Sequence, residues 1–182
     1  MASQPASRAL GKGVATAPDP RIVTELQARR GQALFGLALR LGLSPDDSTE
    51  AVQETLLRLW TELCAGRSIE APDAWAFRVL YRIAMDQHRH RARTAGLGRE
   101  LTRAASPPSD DVEAVLEGMA VWTEVDRLPE RQRLVLYLRY RADLSFEEVA
   151  GVLDISASGA RSQATTAIAT LRRRLAGRGD TM

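Results

Sequence analysis

Apolar residues recur at helical spacing along most of the chain, and nowhere in the strict alternation of a half-buried strand. The sharpest pattern lies between Leu144 and Leu175. Phe146, Val149, Ala150 and Leu153 form one stripe at i, i+3, i+4 and i+7. A polar break, Asp154-Ile155-Ser156, follows, and a second stripe runs through Ala160, Ala164, Ile168, Leu171 and Leu175. The opposite side of that second stretch carries Arg161, Ser162, Gln163, Thr165 and Thr166. A short helix, a tight turn and a longer helix with a small, polar and basic outer side make a helix-turn-helix pattern. Such side chains reach base edges and phosphates in a major groove. The same periodicity also serves a plain helical hairpin in an all-α core.

The stretches upstream read as helices too. Ile22, Leu26, Ala33, Leu34, Leu37, Ala38 and Leu41 predict a helix over 21–41, stopped by Gly42, with Gly31 and Gly36 weakening its interior. Ser44 as N-cap and Pro45 in the first turn open a second helix. Val52, Leu56, Leu59 and Leu63 form its inner stripe and Glu50, Gln53, Glu54 and Arg58 its outer side, up to about Ala65-Gly66. After a loop, Arg67 to Ala71, Pro72-Asp73 starts a third helix that reaches Thr94, with Trp75, Val79 and Ile83 on a stripe broadened by Phe77, Leu80, Tyr81 and Ala84. Residues 110–126 predict an acidic helix through Val112, Val115, Leu116, Met119 and Trp122. Leu128-Pro129-Glu130 breaks the chain, and Glu130 to Arg141 is a further helix packing through Leu134, Val135 and Leu138. Gly96, Gly98, Ser106, Pro107, Pro108 and Ser109 mark a linker. The expected fold is all-α: two small helical domains joined by a flexible linker, the second with a helix-turn-helix. The expected divisions are a disordered tail over 1–20, a first domain over 21–95, the linker over 96–109, a second domain over 110–176 and a tail over 177–182.

Composition changes this picture in two ways. The single cysteine, Cys64, leaves no partner for an intramolecular disulfide and no cysteine-based zinc site, which points to a reducing cytoplasm. The opening residues hold Arg8 and Lys12 but no apolar core, so no signal peptide is read, and no apolar run approaches the roughly 20 residues of a membrane span. Net charge is only +2, but its placement is uneven. Arg78, Arg82, Arg89, Arg91 and Arg93, with His88 and His90, crowd the third helix, and residues 172–174 are three consecutive arginines. Between them, Asp110, Asp111, Glu113, Glu117, Glu124 and Asp126 stand without a base. This alternation predicts two cationic surfaces on separate modules. His88 and His90, two apart on a helix, diverge, and no carboxylate constellation surrounds them. No catalytic residue, metal site or cofactor is therefore expected, and the protein is not expected to be an enzyme.

Particular residues narrow the reading. Gln53-Glu54-Thr55-Leu56-Leu57-Arg58-Leu59-Trp60, with its acidic lead-in Asp47 to Glu50, resembles the core-binding helix of the extracytoplasmic-function (ECF) group of sigma-70-family RNA polymerase sigma factors. Ala74-Trp75-Ala76-Phe77-Arg78-Val79 and Ala84-Met85-Asp86 look like that family's promoter-melting helix. Leu128-Pro129-Glu130-Arg131-Gln132-Arg133 and Leu144-Ser145-Phe146-Glu147-Glu148-Val149-Ala150 look like the start of its fourth conserved region. The resemblance covers about residues 21–176 and takes the four motifs in the family's order.

The resemblance implies roles. Asp47, Glu50, Gln53, Glu54, Arg58 and Trp60 would face core RNA polymerase, on its β and β′ subunits. Trp75, Arg78, Tyr81, Arg82, His88, Arg89 and Arg91 would lie near the −10 element, with loop 67–71 by the pocket for a flipped base. Ser158, Arg161, Ser162, Gln163, Thr165 and Thr166 would meet the −35 element, with Arg172 and Arg173 on the DNA backbone. It also implies an anti-sigma factor that masks both modules, promoter DNA as the other partner, no membrane insertion and a cytoplasmic location. The implied function is that of an alternative sigma factor, which directs polymerase to specific promoters and assists melting. The chain departs from the family pattern at Arg82, where Asn is usual, and at Ala76, where Leu is usual. Two habitually basic positions are Gln163 and Thr166. Lost cations weaken phosphate binding, and Gln163 has the donor and acceptor to read adenine. An adaptor with weakened DNA binding is the alternative those two positions leave open.

Overall fold

The computed structural model describes residues 19–94 and 121–179. Every described element is helical: α1 (Arg21–Arg40), α2 (Pro45–Cys64), α3 (Pro72–Thr94), a helical stretch over 121–126, α4 (Glu130–Leu136), α5 (Phe146–Leu153) and α6 (Ala157–Gly179). A π-helical turn, Tyr137–Arg141, continues α4. Most of the expected tails, the linker over 96–109 and the first part of the acidic helix over 110–126 lie outside the described residues. Helix α6 runs three residues past the expected boundary at 176.

The N-terminal module is a three-helix unit whose boundaries follow local chemistry. Helix α1 stops where Gly42 takes φ 86°, a conformation that costs glycine little. Ser44 caps α2, its Oγ accepting from Asp47 N at 3.1 Å, with Pro45 at the first helical position. Leu26, Leu34, Leu37, Leu59, Phe77 and Leu80 meet in a fully buried core between the three helices. Asp73, in the first turn of α3, receives Arg29 at 3.1 Å and Arg30 at 2.6 Å from α1.

The C-terminal module packs α4, α5 and α6 together. Small residues, Ala160, Ala164 and Ala167, are buried along α6 and permit close approach of its neighbours. Leu175, at the end of the expected stripe, is 37% exposed. Five consecutive residues, Leu134 to Leu138, are buried. No ordinary amphipathic helix hides five in a row, since one apolar stripe covers only part of its circumference. Two features account for it. The π turn, where Ala142 N donates to Tyr137 O at 3.0 Å, shifts the register by one residue. The segment also lies between two partners, α6 on one side and α1 of the N-terminal module on the other. The two modules are thus in contact, and α5 packs against α3 as well.

Candidate polymerase and nucleic-acid interfaces

Helix α2 presents one continuous outer strip. Glu50, Gln53, Glu54 and Arg58 are exposed, Trp60 is half-buried at its edge, and Arg58 pairs with Glu54 at 2.5 Å. In the middle stands Leu57, 63% exposed and outside the residues singled out from sequence. Its position four residues from Gln53 and three from Glu54 is the signal that would have found it. Asp47 belongs to a different environment. The Ser44 hydroxyl and then Arg91, at 2.7 Å, hold its carboxyl below the usual carboxylate range. Asp47 thereby ties α2 to α3.

The cationic residues of α3 fall on two sides and differ in what covers them. Arg82 and Arg89 are exposed, Arg89 paired with Asp86. His88 and Arg91 turn back onto their own module: His88 Nε2 lies 2.6 Å from the Leu41 carbonyl, and Arg91 reaches Asp47. Trp75, Arg78 and Tyr81 are half-buried. Arg78 lies against Gly151 of α5, and burial followed by the charge of Glu130 raises the Tyr81 hydroxyl's pKa. At about 100° per residue, positions 88 and 91 fall on another side of α3 from 75, 78, 82 and 89. In loop 67–71, Arg67 donates to Glu62 at 2.9 Å and Ile69 packs on the core.

The helix-turn-helix is built from capping residues. Ser145 and Glu148 form a reciprocal capping box at the start of α5. Asp154 closes α5 in the left-handed region at φ 54°, and Ser156 Oγ accepts from Gly159 N at 3.0 Å to open α6. Ser158, Arg161, Ser162, Thr165, Thr166, Arg172 and Arg173 are all exposed on α6. Gln163 is half-buried, because its side of α6 turns toward the module rather than outward. Arg161 stacks over Phe146 at 5.6 Å and pairs with Glu147. Glu147's own backbone N–H, and then Arg161, lower its carboxyl pKa. On the other flank, Arg139 lies 5.5 Å from the same Phe146 ring, so one aromatic ring orients two guanidinium groups.

Among the described residues no group of three His, Cys, Asp or Glu side chains is gathered to hold a metal ion, and no helix is long and apolar enough to cross a membrane. Residues 26–94 match Sigma-70 region 2, and residues 125–173 match Sigma-70, region 4. The chain belongs to the sigma-70 family of RNA polymerase sigma factors. It is 26% identical over 162 residues to SigL of Mycobacterium tuberculosis, an ECF RNA polymerase sigma factor, covering 87% of this chain and 91% of that one. This relative, with the two matched regions, puts the sigma factor in the ECF group. A Xanthomonas campestris protein described as a probable RNA polymerase sigma factor, RfaY, is 29% identical over 168 residues, which is 88% of this chain but only 41% of that longer protein. The solved structure of CnrH in complex with the cytosolic domain of CnrY superposes with a TM-score of 0.57 at 25% identity, covering 90% of this chain and 93% of CnrH. The strips on α2, α3 and α6 fall inside the two matched regions.

Proposed function

We propose that this ECF sigma factor docks on core RNA polymerase, β and β′ subunits together, through the outer strip of α2. It then carries the polymerase to promoters whose −35 element is read by α6 and whose −10 element is met by α3. The observation that carries this reading is the pair of exposed strips, one on each matched region, with chemistry suited to different partners. On α2, acids, an amide and an arginine surround exposed Leu57, with Trp60 beside them, giving a polar rim and apolar anchors. On α6, Arg161, Ser162, Thr165 and Thr166 offer donors and acceptors for base edges, and Arg172 and Arg173 offer cations for phosphates. On α3, Arg82 and Arg89 supply exposed charge, while Trp75 and Tyr81 have the rings to stack on unpaired bases.

The chain contributes recognition and leaves nucleotide chemistry to the polymerase, so no cofactor or metal is assigned to it. Its place of work is the cytoplasm, where polymerase and promoter DNA are. An anti-sigma factor is a further partner: CnrH was solved with the cytosolic domain of CnrY bound, and this chain matches CnrH over nearly its whole length. Run-off transcription from a promoter library, with core polymerase alone as reference, tests the reading. Initiation that depends on both sigma factor and promoter is expected. Polymerase binding without promoter-dependent initiation would instead leave an adaptor protein. Arg161→Ala is expected to change promoter preference and leave polymerase affinity alone, and Glu54→Arg to do the reverse.

A further inference from the structure

Thr165 stands in the middle of the outer side of α6. At about 100° per residue, Ser158, Ser162, Thr165 and Ala169 fall within about 60° of one another, with Arg161 at one edge and Thr166 at the other. All of them are exposed. The one long side chain in this set is drawn away from the middle. Arg161 is paired with Glu147, and its guanidinium carbon stands 5.6 Å from the Phe146 ring, so it is held toward α5. Gln163 is half-buried on the flank. A base pair facing the middle of α6 therefore meets hydroxyls and methyls rather than a guanidinium or an amide.

The hydroxyl of Thr165 is already in use. Its Oγ1 donates to the Arg161 carbonyl at 3.0 Å, one turn back. Threonine in a helix takes this bond readily, and donating to a base instead would only exchange one hydrogen bond for another. What Thr165 keeps for a partner is its methyl group and an acceptor lone pair on Oγ1. In the major groove an A·T pair has a counterpart for each: adenine N6 donates, and thymine carries the C5-methyl. A G·C pair has a donor on cytosine N4 but no methyl, and guanine N7 and O6 are acceptors that a committed hydroxyl does not satisfy. The neighbours do not duplicate this chemistry. Ser158 and Ser162 lack a methyl, Ala169 has only its Cβ, and Thr170, whose Oγ1 makes the same bond to the Thr166 carbonyl at 3.0 Å, is half-buried.

We propose that Thr165 is a specificity-determining residue for −35 recognition, selecting an A·T pair through contact between its methyl and the methyl of thymine. The proposal rests on the assignment of α6 to the −35 element. The contact needs no cation, and it sits on a helix whose two habitually basic positions are Gln163 and Thr166.

The test uses the full chain bound to core polymerase and a promoter duplex whose −35 segment is randomised. Bound duplexes are recovered and sequenced. The wild type is expected to enrich A·T at one position of the segment. Thr165→Val keeps the methyl and removes the hydroxyl, and should keep that preference. Thr165→Ser keeps the hydroxyl and removes the methyl, and should relax it about fourfold, the value of one buried methylene-sized group. Deoxyuridine, which is thymine without the methyl, is then placed at that position of the selected duplex. It should weaken binding about fourfold for the wild type and Thr165→Val, and leave Thr165→Ser unchanged. A preference lost equally in both variants, or a wild type indifferent to deoxyuridine, overturns the methyl contact. A preference indifferent to Thr165→Ser overturns the role of Thr165. A wild type that enriches no −35 base at all overturns the assignment of α6 instead.

Discussion

Leu57→Ala offers the sharpest check on the polymerase interface, because the side chain has so little to do in the folded chain. Leu57 is 63% exposed on α2, while Leu59, two positions on, is fully buried. Burying a whole leucine side chain is worth about 1.5–3 kcal/mol. Covering the part of Leu57 still in water, 63% of it, is therefore worth about 1–2 kcal/mol to a partner. Truncation should weaken the affinity for core polymerase by about 5- to 30-fold. It should leave the thermal midpoint within error, since Ala is at least as good a helix former as Leu. Leu59→Ala is the matched contrast: loss of a fully buried leucine should cost about 2–5 kcal/mol of stability. Competition of labelled sigma factor for core enzyme measures the first effect, and thermal melting the second. If Leu57→Ala bound polymerase as well as the wild type, while Glu54→Arg still abolished binding, the strip would be purely electrostatic and the anchor reasoning would fail. If Leu57→Ala lowered the thermal midpoint as much as Leu59→Ala, the exposed placement of Leu57 would be wrong.

Three further outcomes follow from other parts of the molecule. Ser145→Ala removes half of the capping box on α5 and should cost about 1 kcal/mol, seen as a lower thermal midpoint with helical content retained. Arg172→Ala should weaken binding to all DNA sequences alike and reduce the slope of log affinity against log salt by about 0.9, in contrast with the sequence-dependent effect of Arg161→Ala. Burial pushes the Tyr137 hydroxyl up to about 12, so the fold favours its neutral form. The stability that follows is complete below pH 10, the usual tyrosine value, and is lost as the pH rises from there to about 12. Alkaline unfolding of Tyr137→Phe should be correspondingly less steep over that window, and an unchanged profile would place the titrating group elsewhere.

Much of this architecture was legible because it is encoded locally. The boundaries of α2 and α5 follow from Ser44 with Pro45 and from Ser145 with Glu148, side chains that satisfy helix-end amides within three residues of themselves. The polar break at Asp154 likewise stands where the chain turns left-handed between the two helices of the helix-turn-helix. The candidate site was less legible. His88 and Arg91 belong to a basic run by sequence, yet three-dimensional neighbours 47 and 44 positions away, Leu41 and Asp47, draw them to their own module. Gln163 sits beside Arg161 and Ser162 in the chain but half-buried on the flank of α6, since two further residues of helical turn move it off the outer strip.

The amino-acid sequence by itself determined that this protein is helical, that it has two modules, and which side of each helix is apolar, because spacing and capping are properties of a few neighbouring residues. Only the tertiary structure decided what covers each side. Gly36 reads as a weak point in a helix, and the fold uses its missing Cβ to seat Tyr137. Leu56 falls on the inner stripe and is buried, whereas Leu57, one position on, is left 63% exposed for a partner. Leu134 to Leu138 exceeds what one apolar side accommodates, and is explained by burial from two directions at once. Periodicity records that a surface must be hidden from water. It does not record which distant segment hides it.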